Sequence, residues 1–587
     1  MSALDQLVAA LGDIVDTDAA ILEEARADRS GHAAPGQPLA VVHAETVEDV
    51  QTVMRIATRT ATPVVVRGAG TGLAGAANGG EGEIVLSTRR MTAIREIRAD
   101  DLLAVVEPGI LNSDLNDVLA EHGLWWAPDP ASRAISTVGG NIATGAGGLL
   151  CAKYGVVKDA VLGVDLVLAD GRLMRLGHRS VKGVTGLDLT SLVIGSEGTL
   201  GVVVGATLKL RRLVEGTTCT VTAIFPDVRT AASASAAVTA SGVQPAIMEL
   251  MDSASLAAVA ALLELPSPAA GSAQLTIQTD GPAAVAEATT IAEILTSHRG
   301  VTQVSHDRDE GERLLAIRRA MHPAMSALGT TLIEDVSVPR SAMPAMFDEI
   351  ARIEKAYSMT IPTVAHAGDG NLHPNFIFEG AEPPAEVWAA ADELFRAAIA
   401  LGGTLTGEHG IGTLKSRWLA DELGDDQWEL QRQITRVFDP LGILNPARCS
   451  HPMPDIHVSA AVIVDDTGRV LVVRKQGTTR FMQPGGKPEP GETPSQTLIR
   501  ELHEELGLRL DEADLEPLGT FVSEAANEPG HRVVAEAFSV SIAAAEVVVQ
   551  AELAELRWIT PADAETLPLA PLSVEHLLPL AWPATRA

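Results

Sequence analysis

Apolar positions along the chain switch repeatedly between helical and strand spacing. Over residues 1–26 they recur at helical intervals (Leu4, Leu7, Val8, Leu11, then Ile21 and Leu22), and residues 39–42 form a short apolar run that reads as a buried strand. A helix is predicted from about Val47, with Thr46 as N-cap and Asp49 three residues further on. It leads into the strand 64–66, and further strands are predicted at 84–87, 103–106 and 162–168, with a helix near 113–122. Residues 1–213 thus alternate α and β elements. From Gly216 to about Leu405 the pattern becomes Ala-rich helices between strands such as 273–278, and a helix is predicted at 427–438. After the stretch 449–454 the pattern restarts with strands at 458–464 and 470–474 joined by the turn Asp465-Asp466-Thr467-Gly468, and a helix opens at Thr493 or Pro494. The expected organisation is a domain over 1–213, a second over 214–448, a linker at 449–456 and a third domain over 457–587.

Composition changes this picture by exclusion. A chain of 587 residues has room for about three or four domains, each with its own core. The formal net charge of −32, with an acidic excess on both sides of Pro452, argues against nucleic-acid phosphates as partners. Cys151, Cys219 and Cys449 lie far apart without a Cys-x-x-Cys pair. Neither a disulfide framework nor a cysteine-ligated cluster is therefore expected, and a reducing cytoplasm fits. No basic and then apolar leader and no window of about 18 strongly apolar residues is present, so no targeting or transmembrane segment is expected.

The candidate chemistry begins at residues 63–77, a buried strand running into a loop with glycines 68, 70, 72 and 75. Such glycines let successive backbone N–H groups converge on phosphate oxygens, and Arg67 adds a positive charge beside them. The run Gly70-Thr71-Gly72-Leu73-Ala74-Gly75 has the outline of a dinucleotide fingerprint, but it lacks the helix and the acidic residue that the fingerprint requires. Three more glycine clusters follow at 136–148, 153–155 and 195–201. Together with Asp129-Pro130-Ala131-Ser132 and Gly186-Leu187-Asp188-Leu189, they resemble the FAD domain of the glycolate oxidase subunit and D-lactate dehydrogenase family, and the resemblance runs in order from about residue 25 to Asn445. It implies the flavoenzyme fold typified by vanillyl-alcohol oxidase. Gly68, Gly70, Thr71 and Gly72 would hold the FAD diphosphate, and Gly139, Gly140, Thr144, Gly195 and Gly198 would pack along the ribityl and isoalloxazine parts. Thr71 stands where covalent relatives place His, which implies non-covalent FAD. Leu187 stands where the family usually has Tyr.

The second domain reads as an α+β substrate domain with its chemistry near the end. In His366-Ala367-Gly368-Asp369-Gly370-Asn371-Leu372-His373, a two-residue turn at Asp369-Gly370 would place His366 directly opposite His373. Opposed Cβ atoms lie ~4.5–5.5 Å apart, a separation from which two imidazoles reach one metal ion. In Gly407-Glu408-His409-Gly410-Ile411-Gly412 the family resemblance implies Glu408 as third ligand of a divalent metal, Zn or Mn, and His409 as catalytic base. Segments 314–320 and 334–339 also match the family, and Arg318 is the candidate for the substrate carboxylate because a guanidinium fork binds carboxylates bidentately. Leu315 replaces an aromatic residue common there and bears on the width of the pocket.

In the third domain, Gly486-x5-Glu492-x7-Arg500-Glu501-Leu502-His503-Glu504-Glu505-Leu506-Gly507-Leu508 is a complete Nudix box. Glu501, Glu504 and Glu505 at i, i+3 and i+4 share one helix face; unaided they repel, and Mg²⁺ would hold them together beside substrate phosphates. Similarity to Nudix hydrolases implies an α/β/α sandwich in which the carbonyl of Gly485 and a later loop glutamate, with Glu552 the candidate, join the metal site, and Glu504 and Glu505 take part in catalysis. The expectation is a bifunctional enzyme. One half would oxidise a small D-2-hydroxy acid with FAD and pass electrons to a separate acceptor or oxygen, and the other would hydrolyse a nucleotide substrate. A second reading keeps the flavin half as a non-catalytic scaffold or sensor beside a working hydrolase.

Overall fold

The Thr46 hydroxyl accepts a hydrogen bond from the Asp49 N–H and the Asp49 carboxylate accepts one from the Thr46 N–H, so the helix Val47–Thr60 starts on a complete capping box. In this computed structural model, which describes residues 1–380, 382–449, 455–478, 480–489, 491–526, 532–542, 547, 553–564 and 566–582, the chain forms two compact units, Met1–Cys449 and Ser450–Ala587. No helix among the described residues is long and apolar enough to cross a membrane.

The first unit begins with a sheet in the order Val15–Asp16, Ala40–His43, Ile84–Ser87, Val64–Arg67, in which Ile84–Ser87 lies between two parallel partners. Parallel strands are buried on both faces, which explains why these segments read as continuous apolar runs. Val50, Val53, Met54 and Ala57 of the capped helix pack on this sheet. A second, antiparallel sheet runs in the order Ile94–Arg98, Leu103–Val106, Val202–Lys209, Val161–Val167, Leu173–Gly177.

The remainder of the unit is a wide antiparallel sheet ordered Val301–Ser305, Thr217–Phe225, Ala273–Gly281, Ile247–Met251, Thr363–His366, Asn371–Phe378, Thr330–Ile333. Helices Val228–Ala240, Ala284–Ser297, Met343–Tyr357 and Ala385–Ala400 contribute to the same core. The end of this region does not stay with it. The Val64 N–H donates to the Ile443 carbonyl at 2.7 Å and the Asn445 N–H donates to the Val64 carbonyl at 2.8 Å. Residues 443–445 therefore pair with the edge of the first sheet at Val64, where an apolar core receives Ile443 and Leu444.

In the second unit the strand order is Glu516–Glu524, Arg532–Ser541, Asp455–Val464, Val470–Lys475, Leu553–Ile559. Its first strand starts two residues inside the segment expected as linker, because Asp455 and Ile456 extend the parallel pairing with Arg532 and Val533. The helix Pro494–Leu506 is capped by Thr493 with Gln496 and ends at Gly507 in the left-handed conformation. Leu498, Leu502 and Leu506 bury against Ala461, Ile463, Leu471 and Val473. Glu552 and residues 450–454 lie outside the described residues.

Candidate functional site

A cavity of about 690 Å³ opens inside the first unit, bordered by the glycine loop at 68–72 and by Arg318, His366, His373, Glu408 and His409. The loop is shaped by its neighbours. The Arg29 N–H donates to the Gly72 carbonyl, and Asp28 accepts from the Gly75 N–H, both at 2.9 Å. Gly70 has φ +66°, and a Cβ there would run into the Arg67 guanidinium. Arg67 itself does not border the cavity. Its guanidinium donates to the carbonyls of Ala77 and Ala27, both at 2.8 Å, because strand alternation sends Val66 to the cavity side and Arg67 to the other. Its charge braces the loop from behind, in place of the expected position beside a phosphate.

Gly68, Thr71, Gly139, Gly140, Thr144 and Gly198 border the cavity. Thr137 caps the helix Val138–Thr144 through the Gly140 N–H at 3.2 Å. A Cβ on Gly68 would press on the Thr137 hydroxyl, so loop and helix start meet as a cradle only glycine fits. Gly195 does not reach the cavity; its N–H donates to the Ile142 carbonyl at 3.0 Å, behind Thr144. Leu187 is 86% exposed, and Leu315, 1% exposed, packs with Tyr154, Ala246 and Ile247; neither borders the cavity or sets its width.

In the hairpin that carries His366 and His373 the register differs from expectation by two residues. His366 faces Asn371, and His373 faces Val364, because residues 367–370 form a four-residue turn in which the Asp369 and Gly370 N–H groups both donate to the His366 carbonyl. A shift of two preserves the pleat, so both imidazoles remain on one face as diagonal neighbours, ring centres 5.0 Å apart. Glu408 Oε1 lies 3.4 Å from His366 Nε2 and 3.2 Å from His373 Nε2. His409 stacks on His373 at 4.9 Å, with Nε2 3.7 Å from Glu408 Oε1.

Two carboxylates that sequence reasoning gave no role organise this cluster. Glu249 sits 2.7 Å from His366 Nδ1 and 2.8 Å from Arg318 Nε. Asp335 accepts from the Thr406 hydroxyl and from the Glu408 and His409 N–H groups with one oxygen, and from Asn371 Nδ2 with the other. Glu249 was visible in the sequence as a lone charge in the apolar run Ile247–Met251, since buried charges persist only when paired.

The electrostatics follow from burial and these neighbours. Burial pushes the His409 imidazole down to about 4, so it stands neutral at ordinary pH. Burial alone would raise Glu408, but His366 and His373 outweigh it and hold the carboxyl well below its usual range. His366 is the mirror case: burial lowers it, and Glu249 and Glu408 carry it well above. Asp129, on the cavity wall, is pushed up to about 7 by burial.

His366, His373 and Glu408 offer one donor atom each, all within 4.8 Å of one another. The separations of 3.2 and 3.4 Å fit the edge of a tetrahedron with ligand bonds of about 2.0–2.1 Å, and Glu249 on Nδ1 leaves His366 Nε2 free to ligate. The donor set suits a divalent ion. Asp335, His373 and His409 form a second close trio, but both Asp335 oxygens already accept hydrogen bonds.

In the second unit Glu501, Glu504 and Glu505 lie on the helix Pro494–Leu506 at the predicted spacing. Glu505 is buried, accepts from the Gly485 N–H at 3.2 Å and lies 3.1 Å from Lys475; burial raises its carboxyl and Lys475 opposes the rise. Arg500 grips Glu492 at 2.8 and 3.0 Å and reaches Glu501 at 2.9 Å, while the Glu504 side chain is 54% exposed.

Comparison with known proteins places these features. Residues 38–177 match an FAD binding domain, 216–449 the C-terminal domain of FAD linked oxidases, and 453–581 a NUDIX domain. The chain is 36% identical to the glycolate oxidase subunit GlcD of Bacillus subtilis, over 70% of this chain and 88% of that one. It is 35% identical to a D-lactate dehydrogenase of Archaeoglobus fulgidus, over 70% of this chain and 90% of that one. Among solved structures, p-cresol methylhydroxylase with substrate bound superposes with a TM-score of 0.62 at 18% identity, over 76% of this chain and 96% of its own. A 4-ethylphenol oxidase from Gulosibacter chungangensis gives 0.61 at 18% identity, over 76% and 96%. At that identity the likeness speaks for the fold alone, which is the expected vanillyl-alcohol-oxidase type. With glycine cradle, histidine–glutamate cluster and carboxylate helix joined to these matches, the chain belongs to the FAD-linked oxidases of the glycolate oxidase and D-lactate dehydrogenase type and carries a C-terminal NUDIX domain.

Proposed function

We propose that the flavin half oxidises a D-2-hydroxy acid of the lactate or glycolate type to the 2-oxo acid, and that the NUDIX half hydrolyses a nucleoside diphosphate linked to another group. The observation that carries the first activity is the convergence of His366, His373 and Glu408 beside a neutral His409 and the Arg318 guanidinium, on one cavity wall. Arg318 binds the substrate carboxylate through its terminal nitrogens, since Nε is engaged by Glu249. His409 takes the hydroxyl proton at Nε2, the ring nitrogen nearest Glu408, as general base. His366, His373 and Glu408 would hold a zinc or manganese ion, and the loop at 68–72 with Gly139, Gly140, Thr144 and Gly198 would hold FAD without a covalent bond. When bound, FAD supplies the two-electron acceptor and the ion supplies Lewis acidity at the substrate hydroxyl. Electrons then leave to a separate acceptor or to oxygen. In the NUDIX half, Glu501, Glu504 and Glu505, with the Gly485 carbonyl and Glu552, are assigned to Mg²⁺.

Anaerobic addition of D-lactate should bleach the flavin absorbance, and L-lactate should not. Prior removal of metal by a chelator should slow the bleaching, with Zn²⁺ or Mn²⁺ restoring it. Bleaching by no 2-hydroxy acid would leave the flavin half as a scaffold; full activity in protein shown metal-free by elemental analysis would reduce the cluster to hydrogen bonding. Gly70→Val should yield colourless protein, because a Cβ at φ +66° is strained and strikes the Arg67 guanidinium that braces the loop. Stoichiometric FAD in that variant, read from its absorbance spectrum, would remove the loop from the cofactor site.

A further inference from the structure

Glu249 lies at the centre of the strand Ile247–Met251, every residue of which is buried, and its own side chain is 1% exposed. The strand register sets it directly opposite His366. One carboxylate oxygen lies 2.7 Å from His366 Nδ1 and the other 2.8 Å from Arg318 Nε. A carboxylate is thus placed where burial disfavours it, with one oxygen hydrogen-bonded to His366 and the other in an ion pair with Arg318 Nε, the two groups assigned to opposite poles of the substrate.

We propose that Glu249 is a positioning residue that fixes the distance between the carboxylate-binding guanidinium and the metal-binding imidazole, and so fits the site to acids whose hydroxyl is on the carbon next to the carboxylate. This rests on the roles of Arg318 and His366 given above. In a 2-hydroxy acid the two polar groups are on adjacent carbons, so the groups that receive them must keep one short, constant separation. Arg318 comes from the helix Arg308–Arg319 and His366 from the strand Thr363–His366, elements far apart in the chain. One planar carboxylate spanning both sets that separation. It also fixes which nitrogen is left for an ion: Nδ1–H donates to Glu249, so Nε2, the nitrogen that faces Glu408, is the atom that would ligate. Its ion pair with Arg318 runs through Nε, and Arg318 borders the cavity.

The test is Glu249→Gln in the full-length holoprotein. Glutamine keeps the length but has a single acceptor oxygen, so it satisfies His366 or Arg318 and turns N–H groups toward the other. Zinc affinity, measured by competition with a chelator, should fall by about 10–100-fold, and KM for D-lactate should rise by a similar factor while FAD stays stoichiometric. Arg318→Lys should raise KM and leave zinc affinity unchanged, since Arg318 reaches the ligand only through Glu249. A Glu249→Gln protein that loses only kcat or thermal stability, with zinc affinity and KM within about threefold of the parent, would reduce Glu249 to a packing role and overturn the proposal. If that variant does not fold with FAD bound, Glu249→Asp reads the same quantities with charge retained and reach shortened. Should the parent not be reduced by D-lactate, the functional reading fails, and the zinc competition still decides whether Glu249 positions His366.

Discussion

Replacing His409 by alanine should leave the yellow flavin in place and slow its reduction by D-lactate about 10²–10⁴-fold, the usual contribution of a positioned base. The two effects separate because of where the residue sits. His409 stacks on His373, whereas Gly72 and Gly75 of the glycine loop are held by Arg29 and Asp28. Its backbone N–H, donated to Asp335, survives the substitution, so the loop that carries Glu408 keeps its anchor. With burial holding the imidazole at about 4, the residue is unprotonated at neutral pH, which is the state a base requires. Stopped-flow bleaching with saturating substrate measures the step; a rate within about tenfold of the parent would remove His409 from proton transfer.

Glu504→Gln should lower Mg²⁺-dependent nucleotide hydrolysis by more than about a hundredfold, beyond what loss of an outer-shell partner costs at a metal site, and leave hydroxy-acid oxidation by the same protein unchanged. Among the three glutamates of the helix Pro494–Leu506 this one gives the cleanest reading. Glu505 is buried against Lys475 and the Gly485 N–H, so its loss would disturb packing as well as chemistry. Glu504 is half exposed and lies 3.5 Å from Arg500, so its replacement should shift stability by no more than about 0.5 kcal/mol. Parallel assays of phosphate-anhydride cleavage and flavin reduction on one preparation make the comparison. Hydrolysis within about tenfold of the parent would exclude Glu504 from the metal site, and a joint loss of both activities would contradict the independence of the two sites.

Local chemistry made much of this protein legible from its sequence. Capping residues at Thr46 and Thr493, glycines where the backbone turns, and three glutamates at helical spacing are short-range signals, and the elements they predict form where the sequence places them. The pairing of His366 with His373 was legible in kind and not in register, because a two-residue and a four-residue turn keep the same side chains on the same face. The reach of Arg67 was not legible, since which face of a strand borders a cavity depends on what packs behind it. Nor was the position of Leu315, buried against Tyr154 away from the cavity.

The sequence by itself determined the elements, the glycine loop, the shared face of His366 and His373 and the three glutamates of the helix Pro494–Leu506, because each is encoded within a dozen or so neighbouring residues, whereas Glu408 and His409 were reached through a family resemblance. Only the tertiary structure decided how distant carboxylates organise them. Glu249 joins residues 318 and 366, Asp335 holds the loop at 406–409, and residues 443–445 return to pair with the edge of the first sheet at Val64. Each of these contacts spans tens to hundreds of residues. A single buried charge can serve any partner the fold brings near it, and nothing in local spacing says which partner that will be.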